Sequence, residues 1–441
     1  MQYDIKDFGA KNDRVTNNAP LIQQAIDTCS AQGGGIVVVG GGGAYLTGTL
    51  RLKSFVTLRV EPGTTLLGSP LVDDYATDTY KLLYKDSDCL DRCLIYGEDL
   101  ESVAIEGEGV IDGNGHQENF PHERPMLLRL LRCRKMRLNN ISLSNPAAWT
   151  TAFLYCDDIS VVGITISSRV NLNGDGLDFD GCTNVRVTNC NFDNSDDSIC
   201  LQASRPEYPC RDIVISNCIF STQWAGLRIG LLSRGDIHSV AVSNCTFHDI
   251  DDAGIKIQQC EGGEMRNMVF SNLVMRNVPR PIFMTFSQQR ASREVPEGVL
   301  EPLATMHHFS FCNLMIDNRV GDVHSAIFIS GFPGYSISDI TLRDVHFVVA
   351  GGGTRAMAEQ REVNEFTLDV VKDHWPEFYC LKQLPSYGLY LRHVDGVSLE
   401  NVVIESIESD CRTPVFLDDV CGLRVGSVIA NGAVIELDND S

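Results

Sequence analysis

The chain is 441 residues long, 43% hydrophobic, and carries a formal charge of −22 at pH 7 without any Lys/Arg run. That balance argues against nucleic acid or an anionic membrane surface as partner, because both require a basic face. No apolar run approaches the roughly 20 residues of a membrane span, and the start, MQYDIKDFGAK, lacks the basic-then-apolar pattern of a signal peptide. The expectation is therefore a cytoplasmic protein, unless a leader has been trimmed. The 16 cysteines form no CxxC pair, and several (Cys190, Cys218, Cys245) fall inside strand-like runs, where a reduced thiol acts as a small buried hydrophobe.

In chain order, the first element is a short helix in NNAPLIQQAIDTC, with an Asn cap, Pro20 in its first turn, and Leu21, Ile22, Ala25 and Ile26 on one face. It predicts a cap over residues 1–30 that closes the open end of a solenoid. The glycines of QGGGIVVVGGGG read as turns before strands, since no GK[ST] ending follows. Residues 70–95 are irregular. From about residue 100 one phrase recurs: NNISL, VGITI, TNCNF, SNCIF, SNCTF, SNLVM, CNLMI, RDVHF, ENVVI. Its fixed position is occupied by Asn140, Gly163, Asn189, Asn217, Asn244, Asn272, Asn313, Asp344 and Asn401, at steps of 23, 26, 28, 27, 28, 41, 31 and 57 residues.

Length alone suggests two to four domains of roughly 150 residues, but a near-constant step is the mark of a solenoid. Alternating Val, Ile, Phe and Thr between Asn, Asp and Gly read as short strands joined by turns. The prediction is an all-β chain forming one parallel β-helix over residues 1–441, with Asn at a turn that tolerates a left-handed backbone. The two longest steps mark insertions at about 286–306 and 349–388, expected as long loops flanking a cleft. Trp375, Tyr379 and Tyr387 in the second are candidates to stack on a sugar.

Four rungs align by their apolar pairs: Leu177/Phe179, Ile199/Leu201, Leu227/Ile229 and Ile255/Ile257. With these pointing inward, Asp178, Cys200, Arg228 and Lys256 form an outward column, and Asp175, Asp196 and Asp197 gather at one end of two adjacent rungs. Three carboxylates so close repel one another and persist where one is protonated, where a cation binds, or where chemistry needs them. Inverting glycoside hydrolysis uses such a set, with one acid for the leaving oxygen and one or two bases for water. A Ca²⁺ site and a purely structural turn ladder are the alternatives.

NGDG at 173–176, followed by the Asp-Asp of NSDDSIC, resembles the NTD…DD pair of glycoside hydrolase family 28, the polygalacturonase and rhamnogalacturonase family. DFGAKNDRVTNNAPLIQQAID, GEGVIDGNG and SNPAAW are similar to that family's early coils, and PSYGLYLRHVDGVSLENV to its late ones. The resemblance implies a right-handed parallel β-helix, Asp196 as general acid, Asp175 and Asp197 as the carboxylates that activate water, and no metal or organic cofactor. The candidate substrate contacts are Asn173, Trp224, Lys256 and Gln258, with Arg228 added from its place one rung from Lys256 in the outward column. Two motifs depart from the pattern: GHGLSIG appears as WAGLRIG, placing Ala225 where histidine is usual, and RIK appears as KIQ, Lys256 and Gln258. Stacked cations at Arg228 and Lys256 need an anion between them; a substrate carboxylate, Asp178 or a loop acid would each serve.

The predicted function is an inverting, exo-acting glycoside hydrolase on short oligosaccharides containing galacturonate, rhamnose or both. A long anionic polymer would need a basic groove that a −22 chain is poorly placed to offer. The alternatives are a β-helix lyase or epimerase on an acidic sugar, and a non-catalytic carbohydrate binder. A monomer or small homo-oligomer is expected.

Overall fold

The computed structural model describes residues 1–437 apart from positions 86, 373 and 382. Backbone contacts divide the chain into two compact units, one comprising Met1–Cys200 and Cys210–Cys218, the other Leu201–Pro209 and Ile219–Ser441. Each is a stack of parallel strands.

In the first unit, strands Glu101–Glu106, Arg134–Asn139, Asp157–Val162, Thr183–Thr188 and Cys210–Ser216 lie side by side and parallel. Their inward residues hold one register, Val103, Met136, Ile159, Val185 and Ile213, and all are buried. A second parallel stack runs through Cys93–Glu98, Met126–Leu131, Thr151–Leu154 and Leu177–Asp180, and a third through Val110–Asp112, Ser142–Ser144, Thr165–Ser168 and Asn191–Asn194. Three short strands per turn, each paired to the rung above and below, form the parallel β-helix that the repeat spacing predicts.

The second unit repeats the scheme with longer strands. Ala225–Ser233, Ala253–Gln259, Arg280–Phe286, Ile327–Ser330, Ser386–Ser406 and Thr413–Val425 pair in parallel. One column through them reads Arg228, Lys256, Phe283, Phe328, Tyr390 and Phe416. Its four aromatic rings stack at centroid distances of 5.0, 5.1 and 5.4 Å, close to the strand spacing itself.

Every residue at the recurring position has a left-handed backbone, from Asn140 at φ 51° to Asn401 at φ 52°, with Gly163 at 66°. Asparagine also fixes the turn sideways. In the second unit Asn313 Nδ2 donates to Asn272 Oδ1 (2.8 Å) and Asn272 Nδ2 to Asn244 Oδ1 (3.0 Å), so the side chains form their own ladder.

The helix spans Ala19–Ala31 and buries Ile22, Ala25, Ile26 and Cys29, while Leu21 is only half-buried. Asn18 sits at the cap position without bonding the first turn. Its side chain instead accepts from Lys11 N and donates to the carbonyls of Lys11, Thr16 and Leu46, and Asn17 Oδ1 takes the Ala19 N–H. No helix is long and apolar enough to cross a membrane among the described residues. All 16 cysteines are free thiols.

The 286–306 insertion is tied down by charge. Arg234 pairs with Glu301 (3.0 Å) and Glu294 (3.1 Å), and Arg205 pairs with Glu294 (2.8 Å). Beneath it Glu261, buried, accepts from the N–H groups of Ala291 (3.0 Å) and Ser292 (2.8 Å). Burial pushes the Glu261 carboxyl up to about 7 against those two bonds, which pull it down, and nearby Glu301 adds to the rise. A carboxyl whose folded pKa is raised contributes stability that is complete below its unfolded value of 4.5 and is lost as pH rises through 7. Glu261→Gln keeps an oxygen for the two N–H groups and does not titrate. Relative to wild type, the variant should gain roughly 3 kcal/mol between about pH 4.5 and pH 8, measured by denaturant melts at both; a pH-independent difference would show that Glu261 does not titrate there.

Candidate active site

The acidic cluster lies within the first unit, and backbone geometry forces it together. Asn173 takes a left-handed φ of 52°, turning the chain into Gly174, Asp175 and Gly176. A Cβ on Gly176 would lie 2.2 Å from the Ser198 carbonyl oxygen, so only glycine lets this loop approach the next rung. The rungs are then joined by Gly176 N–H to Asp197 O and Leu177 N–H to Ser198 O, both 2.9 Å. Ser195 Oγ accepts from Gly174 N–H (3.1 Å) and donates to Asn171 O (2.6 Å), while Asn194 Nδ2 donates to Gly174 O (3.2 Å). NGDG and NSDD are thus clipped into one structure.

Around this clip, an oxygen of Asp175, an oxygen of Asp197 and the Cys200 sulfur all lie within 4.8 Å of one another. The Cys200 thiol reaches Asp175 Oδ2 and Asp197 Oδ2 at 3.8 Å each. Asp175, Asp197, Asp178 and Cys200 are buried, whereas Asp196 is half-buried and Asn173 exposed. Asp196 Oδ1 accepts the N–H of Asp197 (2.9 Å) and its Oδ2 accepts from Asn173 Nδ2 (3.3 Å). Asn173 is itself held by Arg124, whose Nη2 donates to Asn173 Oδ1 and Nη1 to Leu172 O, both at 2.8 Å.

Burial pushes the Asp175 carboxyl well above the usual range, reinforced by Asp196, Asp178 and Asp197. Burial does the same to Asp178, with the Cys200 thiol pulling the other way and Asp197 and Asp196 reinforcing the rise. Asp175 Oδ1 and both oxygens of Asp178 have no hydrogen-bond partner among the described residues. A cluster built this way binds protons more tightly than separate aspartates and titrates as a unit. Two carboxylates and a thiol could also hold a divalent cation, the one such group among the described residues.

The basic pair belongs to the second unit. Arg228 and Lys256 are neighbours in register, as the rung alignment predicts. They are buried rather than exposed, because the 349–388 loop covers them. Glu377 from that loop, itself buried, sits against both: Arg228 Nη1 and Nη2 donate to its Oε1 at 3.3 Å, and Lys256 Nζ donates to its Oε2. The anion between the cations is a loop acid, one of the three partners the sequence left open. Gln258 accepts from Arg228 Nη2 (2.8 Å) and donates to the Pro376 carbonyl. Trp224 is half-buried, with Lys256 Nζ 5.2 Å from its ring centroid. Asp252 also contacts Lys256 and lies 3.3 Å from Arg280; these cations hold its carboxyl below the ordinary value although burial opposes them. Ala225 faces Ala253 in register, with no imidazole at that place. Of the three loop aromatics singled out in the sequence, Tyr387 is buried, Trp375 half-buried and Tyr379 exposed.

Sequence reasoning brought Asp175, Asp196, Asp197 and Asn173 together in one unit and Trp224, Arg228, Lys256 and Gln258 together in the other. It missed Arg124 and Glu377, which lie outside any repeat. It placed Asp178 and Cys200 in the outward column without counting them among the acid cluster, although Asp178 is three residues from Asp175 on the same rung.

Comparison with known proteins bears on this arrangement. A probable polygalacturonase of Vitis vinifera is 28% identical over 306 residues, covering 64% of this chain and 62% of its own length. An exo-poly-alpha-D-galacturonosidase of Dickeya chrysanthemi is 25% identical over 392 residues, 74% of this chain and 64% of its own. The chain thus spans somewhat over six tenths of these relatives. The crystal structure of a hyperthermoactive exopolygalacturonase from Thermotoga maritima superposes with a TM-score of 0.70 at 20% identity over 99% of this chain and 93% of that one, a likeness of fold. The model for glycosyl hydrolases family 28 matches residues 29–364, which include the acidic cluster, the basic pair and the first part of the 349–388 loop but not Glu377, and the chain belongs to that family.

Proposed function

We propose that the chain is an inverting, exo-acting glycoside hydrolase of pectin-type oligosaccharides containing galacturonate, rhamnose or both. The observation that carries the reading is the clip of NGDG to NSDD, which gathers Asp175, Asp178, Asp196 and Asp197 on adjacent rungs of a family 28 chain. The name of the Dickeya relative supports action from a chain end.

Asp196 is the proton donor. It is the least buried of the acids, and Asn173, braced by Arg124, orients one of its oxygens. Its proton passes to the glycosidic oxygen as the bond from that oxygen to the anomeric carbon breaks. Water attacks the same carbon from the opposite face, and its proton goes to Asp197 or Asp175. Burial makes Asp175 a stronger base than an ordinary aspartate once ionised.

Asp196→Asn should lower kcat by about 100-fold or more with the melting curve unchanged, since no core residue is altered; near-wild-type turnover would remove Asp196 as the acid. Proton NMR of the first product formed should show inverted anomeric configuration, and retention would remove the single-displacement scheme. Because Asp175 acts ionised and burial raises its proton affinity, the acidic limb of kcat/KM should lie above the ordinary aspartate value of roughly 3.9. A pH-rate profile whose acidic limb falls at or below that value would take Asp175 out of the base role. Activity that survives EDTA is expected; its loss, with products absorbing in the ultraviolet, would point to a cation-dependent lyase.

A further inference from the structure

In the second unit Arg228 and Lys256, stacked in register, hold a carboxylate supplied by the chain itself. Glu377 is 1% exposed and engages one cation with each oxygen. The surrounding loop is fastened at several points: Gln258 Nε2 donates to Pro376 O, Gln289 Nε2 to His374 O (2.8 Å), and Arg280 lies over the Phe378 ring at 4.7 Å. The local charges balance, with Arg228, Lys256 and Arg280 set against Glu377, Asp252 and Asp322. An incoming carboxylate would find this place already filled and neutral. Beside it the loop exposes Tyr379 (53%), whose hydroxyl donates to Trp375 O at 3.2 Å, next to the exposed Lys372 and His374, and outside the loop the half-buried Trp224 ring lies by Lys256. Aromatic faces stack on the C–H faces of sugars and do not require charge.

We propose that Glu377 is a specificity-determining residue: as an internal carboxylate seated between Arg228 and Lys256, it excludes a uronate from that place and leaves it to a neutral sugar. The inference rests on the reading of Arg228, Lys256, Gln258 and Trp224 as substrate-binding residues, and it deepens the proposed function by assigning the uncharged partner of a mixed pectic oligosaccharide to this part of the molecule.

The test uses the full chain and two kinds of readout. Wild type should hydrolyse oligosaccharides ending in a neutral sugar at least tenfold more efficiently, in kcat/KM, than the same oligosaccharides ending in galacturonate; equal efficiency or a preference for galacturonate overturns the proposal. Calorimetry with D-galacturonate and with D-galactose then compares wild type, Glu377→Gln and Glu377→Gly. Removing the internal carboxylate should tighten galacturonate binding at least tenfold and leave galactose unchanged, and adding Arg228→Gln to Glu377→Gly should abolish the gain. Folded variants that bind galacturonate no better than wild type overturn the proposal. Glu377→Gln preserves shape where the glycine variant does not fold, and the wild-type comparison decides if neither folds. A wild type that hydrolyses none of the oligosaccharides sinks the proposed function alone, because the binding comparison still reports on the seat.

Discussion

A coil of 23 to 28 residues has no interior of its own, so each rung is stable only where its backbone pairs with its neighbours and its alternate side chains close a shared core. Each fully buried Ile, Leu, Val or Phe contributes roughly 1.5–3 kcal/mol, and a one-residue slip would turn an entire rung's set outward. Register is therefore held by many small terms acting together. The left-handed Asn at each turn adds a local condition that a slipped rung would violate, since most residue types resist that backbone. Polar side chains between the core positions inherit this precision without contributing to it. That is how aspartates that repel one another stay adjacent: Val185, Val187, Ile199 and their neighbours hold the rungs on which they stand.

The acidic cluster shows what the scaffold sustains. A buried carboxyl short of donors is costly by about 1–3 kcal/mol even when neutral, and Asp178 has no close hydrogen bond to either oxygen, with the Cys200 thiol drawing on it from nearby. Nothing in the packing of Phe153 on Phe179, stacked at 5.1 Å, requires an acid between Leu177 and Phe179. A strain of this kind, sited beside three further aspartates and a thiol, supports the proposed proton-handling role of the cluster.

The parts of the fold that repeat were legible in the sequence, and for one reason. Periodicity reports burial, and burial decides the rungs, so the strands, the Asn turns, the capping helix and the juxtaposition of Asp175 with Asp196 and Asp197 followed from counting. The same counting put Arg228 beside Lys256. It also called the column outward, which is right for direction and wrong for exposure: alternation says which face of a strand a side chain occupies, not whether something lies over that face. The covering segment belongs to an insertion with no period of its own. Arg124, which braces Asn173 from 49 residues away, and Glu377, which reaches Lys256 across 121, lie in stretches where no spacing rule links them to their partners. The helix cap shows a smaller version of the same limit, for Asn18 is drawn from its own helix by the carbonyls of Lys11, Thr16 and Leu46.

Charge adds a constraint that periodicity does not carry. Two cations a rung apart in a dry environment repel strongly, and removing one partner of a buried ion pair costs about 3–5 kcal/mol. A fold that stacks Arg228 on Lys256 must therefore supply an anion permanently or accept instability whenever its ligand leaves. Here the anion comes from the chain, and the 349–388 loop gains an anchor by delivering it. Docking of the loop and neutralisation of the column are then one event: the loop is ordered because the column is charged, and the column can be buried because the loop brings Glu377. On the proposed reading, substrate choice at this place would follow from folding rather than from binding, since the carboxylate that satisfies the cations is already covalently attached.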